Sequence, residues 1–275
     1  MPLSILDTMQ PIGLDDMKAV RLMKRVDQKY IASAAILPHL LAAVAGDYYV
    51  QQIEGNPIAP YHTLYFDTCD LAMYTMHHNR KLNRQKLRVR CYRSTQTTFF
   101  EIKNKDNKRK TSKVRIPIDS AQFDTCLALP EVSAFVNANT PYGIAHEVAG
   151  RQRVAADLQS ANRNLLFPCL ENFFCRITLV DKAMHERVTI DQGISFHNRA
   201  TGRDADIGHI LVIEVKHEQG APQSDMEQAL HALHVLPRRM SKYCIGTALT
   251  NQAAKSNRFK PKLLYIDRCR SISMP

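Results

Sequence analysis

Residues 86–119 hold the pattern that most restricts the fold. KLRVRCYR (86–93), TTFFEIKNK (97–105) and KTSKVRIPID (110–119) follow one another with short turns between them. Each alternates with a period of two, the signature of a strand. One side carries Arg88, Arg90 and Tyr92, then Glu101 and Lys103, then Lys113 and Arg115. The other side carries Leu87, Val89 and Cys91, then Phe100 and Ile102, then Val114, Ile116 and Ile118. Such a stretch is expected to be an antiparallel meander packed on its apolar side. What its charged side faces, water or a cavity, has to be decided from the rest of the chain.

The same one-sided charge recurs. RLMKRVDQKYIA (21–32) reads as a strand with Arg25, Asp27 and Lys29 together; FFCRITLVD (173–181) and ERVTIDQGISF (186–196) read as a hairpin bearing Arg176, Arg187 and Asp191; ILVIEVKHE (210–218) bears Glu214 and Lys216. Further strands are expected at 48–53 and 62–68. Helices are expected from Ser33 to about Ala45, over 69–79, from Ser120, at about 144–160, over 223–235 and from Ser241 to about Asn251. Across the strands, cations outnumber carboxylates on the charged faces by about ten to four. A solvent face would mix in more Ser, Thr and Gln. Amphipathic helices must bury their apolar stripes, and closure removes the edges of a sheet. The expected fold is therefore α+β: an eight-stranded antiparallel β-barrel tunnel with a charged interior and helices packed outside. So many inward cations would repel one another without a polyanion between them, and linked phosphates suit Arg forks and Lys point charges.

The chain has 275 residues and a formal net charge of +11, which favours an anionic partner. A single domain over 1–254 and a basic tail over 255–275 are expected. The seven cysteines form no CxxC pair, so neither a zinc knuckle nor a disulfide framework is indicated, and a reducing cytoplasmic location fits. No apolar run is long enough for a membrane span and no signal peptide is evident. A P-loop, a Ser/His/Asp triad and a dinucleotide motif are all missing. His77 and His78 lack a carboxylate at metal-ligand spacing and read as surface or packing residues. A nucleic-acid partner is disfavoured: 104–113 reads as a solvated hairpin turn, there is no Trp, and no aromatic-on-strand stacking motif occurs.

The ordered set R-x-D-x-K-Y (25–30), LYFDT (64–68), LRVRCY (87–92), FEIKNK (100–105), SKVRIPI (112–118), RIT and RVTID (176–191), VIEVK (212–216) and SKYCIG (241–246) resembles the VTC domain. This is the polyphosphate polymerase branch of the triphosphate tunnel (CYTH-like) metalloenzymes, and the likeness covers roughly residues 20–250. It implies catalytic Arg88, Arg90, Arg176, Arg187 and Lys103, and phosphate-binding Lys29, Lys113, Ser241, Lys242 and Lys216. It also implies Glu214 as ligand of Mn2+ or Mg2+, with Tyr243 near phosphate and Glu101 in the tunnel wall. Two departures stand out. The superfamily's E-x-E-x-K opening is here Arg25-x-Asp27-x-Lys29, which leaves one carboxylate and shifts weight to Glu214. Phe174 stands where a tyrosine is usual.

The implied activity is metal-dependent phosphoryl transfer, making polyphosphate from ATP or another nucleoside triphosphate, in a stand-alone form. Its partners would be polyphosphate or inorganic phosphates. A triphosphatase and a non-catalytic polyphosphate or nucleotide binder are the alternatives.

Overall fold

The computed structural model describes residues 4–18, 25–108, 110–144, 164–218 and 224–271. Among these residues, twelve strands form one sheet. They are β1 (Pro11–Ile12), β2 (Arg25–Ser33), β3 (Tyr48–Gln51), β4 (Ala59–Asp67), β5 (Arg84–Tyr92), β6 (Thr97–Lys105), β7 (Thr111–Ile118), β8 (Gly143–Ile144), β9 (Leu165–Asp181), β10 (Glu186–Asn198), β11 (Arg203–Asp206) and β12 (Ile210–Glu218). The helices are α1 (Ser4–Thr8), α2 (Leu37–Val44), α3 (Ala72–His78), α4 (Pro130–Asn139), α5 (Asp225–Ala232), α6 (Lys242–Thr250) and α7 (Lys260–Arg268). The helix expected at about 144–160 falls almost wholly outside the described residues. No described helix is long and apolar enough to cross a membrane.

The main path of the sheet runs β2-β12-β10-β9-β4-β5-β6-β7, every neighbouring pair antiparallel. The short strands β1, β3, β8 and β11 lie off this path. The expectation of a closed eight-stranded barrel is thus corrected: among the described residues the sheet has twelve strands, and its end strands β2 and β7 do not pair. The free side of β2 is partly covered instead, where Arg238 N donates to the Lys29 carbonyl and Tyr30 bridges Pro237.

The sheet curls. Lys29 on β2 and Lys86 on β5 stand five places apart in the strand order yet lie close enough to repel. Lys103 on β6 likewise feels Glu214 on β12. The convex side carries the apolar alternation read in the sequence. Ile177, Leu179, Val188, Ile190, Leu211 and Ile213 pack beneath α2 and α5. Leu64, Leu87, Val89, Phe100 and Ile102 pack with Val132 and Val136 of α4.

Helices do not stay outside, however. α6 and α7 lie against the concave side, where Ile31, Tyr65, Leu170, Phe174 and Val212 pack with Tyr243, Ile245 and Ile266. These strand residues share faces with Lys29, Arg88, Arg176 and Glu214, so the concave side is charged along one part and dry along the other. A β-bulge makes this possible on β10. The register with β9 shifts between Gln192 and Ser195, with Gly193 at φ 59°; the extra residue turns the strand over. Ile190 therefore enters the convex core, and Ile194 and Phe196 enter the concave one.

Candidate functional site

The charged part of the concave side is built from three carboxylates, each straddled by two cations. Glu101 on β6 is fully buried and accepts from Arg88 Nε at 2.7 Å and Lys113 Nζ at 2.9 Å. Asp191 on β10 accepts from Arg176 Nε at 2.6 Å and Nη2 at 2.9 Å, and from Lys242. Glu214 on β12 accepts from Lys29 of the adjacent strand and pairs with Lys216 two residues along. Register explains the set, because Arg88 lies opposite Glu101, Arg176 opposite Asp191, and Lys29 opposite Glu214. Directly opposed side chains on one face are the nearest neighbours a sheet provides. Burial alone would raise these three carboxyls. The flanking cations win, holding Glu101 near 2 and Asp191 and Glu214 well below the ordinary carboxylate range.

Further cations sit among these clusters. Arg90, 7% exposed, donates through Nε to Thr63 Oγ1 at 3.0 Å, and among the described residues no carboxylate pairs with it. Lys103 has no ion pair among the described residues either, and lies opposite Lys86 on one side and Lys113 on the other. Burial, then Arg88 and Arg90, push its amine down to about 6. Burial brings Lys86 to about 8 with help from Arg88, and Lys242 to about 8 against the pull of Asp191. His77, half-buried beside Lys86, Arg84 and Lys105, is held at about 2 and so stays neutral. Like charges directly opposed on a sheet are destabilising. This region is a cationic field short of anions.

One helix end completes it. Ser241 caps α6, its Oγ accepting from Cys244 N at 3.3 Å while Lys86 Nζ donates to the same oxygen at 2.7 Å. Tyr243 is not turned toward the charged field. Its hydroxyl donates to Asp67, which also accepts from Thr68 N, Met73 N and Tyr74 N at 2.8–2.9 Å. Asp67 therefore caps α3 and fastens α6 to it. With α6 fixed, Lys242 can reach Asp191 and lie 3.9 Å above the ring centroid of Phe174.

Of the residues named from the sequence, the structure brings Lys29, Arg88, Arg90, Lys103, Lys113, Arg176, Glu214, Lys216, Ser241 and Lys242 to one surface. Arg187 joins them on β10 opposite Lys216. Lys86 is not among those named residues, although its place two residues before Arg88 puts it on the same face. Asp67 reads in sequence as an ordinary strand-end residue, and only the fold shows what it anchors.

A divalent cation is the group the resemblance implies. Among the described residues no three His, Cys, Asp or Glu side chains converge as a metal cage. Glu214 fits a looser role. Magnesium-type ions commonly take one or two carboxylates and complete their shell with waters and phosphate oxygens.

The family model of the VTC domain matches residues 24–251. The chain belongs to the VTC domain family. Among curated proteins, nothing matches it. Solved structures similar to this VTC-domain chain include a candidate adenylate cyclase from Vibrio parahaemolyticus, 10% identical, covering 82% of this chain and 99% of that one with TM-score 0.43. Another is a candidate adenylate cyclase from Bacillus halodurans, 14% identical over 79% of this chain and 94% of that one, TM-score 0.42. A third, from Hippeastrum, is a candidate adenylyl cyclase described as having a dominant triphosphatase activity; it is 14% identical over 83% of this chain and 97% of that one, TM-score 0.43.

Proposed function

We propose that this VTC-domain chain transfers phosphoryl groups on triphosphate and polyphosphate, with ATP as donor and a growing polyphosphate as acceptor. The observation that carries the reading is the surplus of basic side chains over carboxylates on the concave side. After Glu101, Asp191 and Glu214 are each matched twice over, Arg90 and Lys103 stand without a carboxylate among the described residues. A multiply charged linear anion would match these groups along its whole length. Membership of the VTC family supports the same substrate class.

Phosphoryl transfer asks chiefly for positioning and neutralisation of charge on the transferred group. Arg88, Arg90, Arg176, Arg187 and Lys103 would do this for the equatorial oxygens. Lys29, Lys113, Lys216, Ser241 and Lys242 would hold the flanking phosphates. Binding would also loosen the existing ion pairs, since phosphate oxygens compete with Asp191 and Glu214 for the same donors. Glu214, once its lysines turn to phosphate, would hold the Mn2+ or Mg2+. When bound, that ion would supply further charge neutralisation to the phosphates.

The test is to incubate the purified protein with ATP and manganese and to quantify polymer and free phosphate together. Polymer growth supports the proposal. Phosphate release without polymer assigns a triphosphatase, with water as the attacking group. Tight, salt-sensitive polyphosphate binding without turnover assigns a clamp.

A further inference from the structure

Beside the cationic field, on the same concave side, four aromatic rings from four strands form a continuous row. Phe174 on β9 stacks on Tyr61 of β4, centroids 5.0 Å apart and planes 18° apart. Tyr61 meets Tyr92 of β5 at 5.0 Å, edge to face, and Tyr92 meets Phe99 of β6 at 6.1 Å. The row runs from the interior outward. Phe174 is 3% exposed, Tyr61, Tyr92 and Phe99 are half-buried, and Arg115, lying 4.2 Å over the Phe99 ring, is exposed.

The row adjoins the phosphate positions. Arg90 lies directly opposite Phe99 in the β5–β6 register, and its guanidinium stands 5.6 Å from the centroids of both Tyr61 and Phe174. In the other direction the concave side is filled by α6 on the dry cluster of Ile31, Tyr65 and Val212. A ligand with linked phosphates at one end and a flat ring at the other thus meets an aromatic platform beside its phosphates.

We infer that the outer part of this row, Tyr92 and Phe99 with Arg115, is a nucleobase-stacking subsite, so that the donor is recognised as a nucleoside triphosphate and not merely as a triphosphate. This rests on the reading of the cationic field as a phosphate site. Aromatic faces and guanidinium planes are the surfaces on which bases stack, and such stacking tolerates different bases.

The experiment is calorimetric titration of the purified chain with ATP and, separately, with inorganic tripolyphosphate. Phe99→Ala and Tyr92→Ala are each expected to weaken ATP binding by roughly five- to hundredfold while moving tripolyphosphate by less than about twofold. Phe99→Leu keeps the apolar volume without the ring face and should weaken ATP in the same selective way; Phe99→Tyr should restore it. Arg90→Ala should weaken both ligands. ATP binding unchanged in the ring variants overturns the subsite, as does an equal loss of both ligands in Phe99→Leu. Wild-type protein that binds neither ligand refutes the phosphate site itself, and the subsite with it.

Discussion

Replacing Lys103 by Met should remove about one proton from the chemistry of polyanion binding. In the empty protein this amine is held near 6 by burial and by Arg88 and Arg90, and its direct neighbours across both strands are lysines. At pH ~7.5 it is almost entirely neutral. A tripolyphosphate laid across β5, β6 and β7 brings negative charge to the amine and draws its pKa back up, so binding takes up a proton. Affinity then rises as pH falls, by up to about tenfold per unit for this one lysine, until the pH reaches about 6. Lys86 and Lys242, both near 8, add roughly a quarter of a proton each at the same pH.

The assay is titration calorimetry in two buffers of different ionisation enthalpy, wild type against Lys103→Met. Protons exchanged by the ligand cancel in the difference. Equal uptake by the two proteins would refute the placement of Lys103 against phosphate. The depressed pKa has a second consequence, for the empty fold. Its stability contribution is present above the unfolded lysine pKa, declines as pH falls through the window from about 10 to about 6, and is constant below it.

Arg90→Ala and Glu214→Ala should each abolish turnover with unchanged circular dichroism; full activity in either would remove these residues from the proposed chemistry. Glu101→Ala leaves Arg88 and Lys113 without their shared carboxylate and should cost about 3–5 kcal/mol in urea unfolding, part of it recovered on adding tripolyphosphate. Gly246→Ala would set a Cβ 2.5 Å from Phe196 Cδ1 and 2.7 Å from Leu170 Cδ2. The resulting overpacking should cost about 1–3 kcal/mol in thermal unfolding. Because α6 must shift, it should also weaken phosphate binding through Lys242 and Ser241.

The central meander was legible almost residue by residue. Segments read at 86–93, 97–105 and 110–119 appear as Arg84–Tyr92, Thr97–Lys105 and Thr111–Ile118. There, period-two alternation, short turns and sequential pairing all agree. Legibility failed where a strand changes face or changes partner. Pro168 hid the first half of β9, which begins at Leu165, and the register with β4 slips at that same proline. On β10, Ile190 and Ile194 share parity in sequence, yet the Gly193 bulge sends them to opposite cores. The dry part of the concave side, and so the inward seat of α6, was hidden because Ile31, Phe174 and Val212 share parity with Lys29, Arg176 and Glu214 and read as part of one charged face.

The paired cations could be gathered from parity alone, but not their carboxylate partners, because partnership depends on register between strands distant in sequence. The aromatic row shows this most clearly. Phe174, Tyr61, Tyr92 and Phe99 come from four strands and form no linear motif. The strand order was equally out of reach: one-sided charge implies a common surface but does not say whether the sheet's ends meet.

That unjoined end has a mechanical consequence. β7 is held by β6 alone among the described residues, and most of its length is exposed. Strands bonded on one side only open at lower free energy than interior ones. Arg176, Asp191 and Lys242 are anchored between interior strands and a pinned helix, whereas Lys113 and Arg115 ride on the most compliant element of the sheet. The site therefore has one rigid jaw and one sprung jaw. Amide exchange along 111–118 should be the fastest in the main strands of the empty protein and should slow most when a polyanion bridges the two.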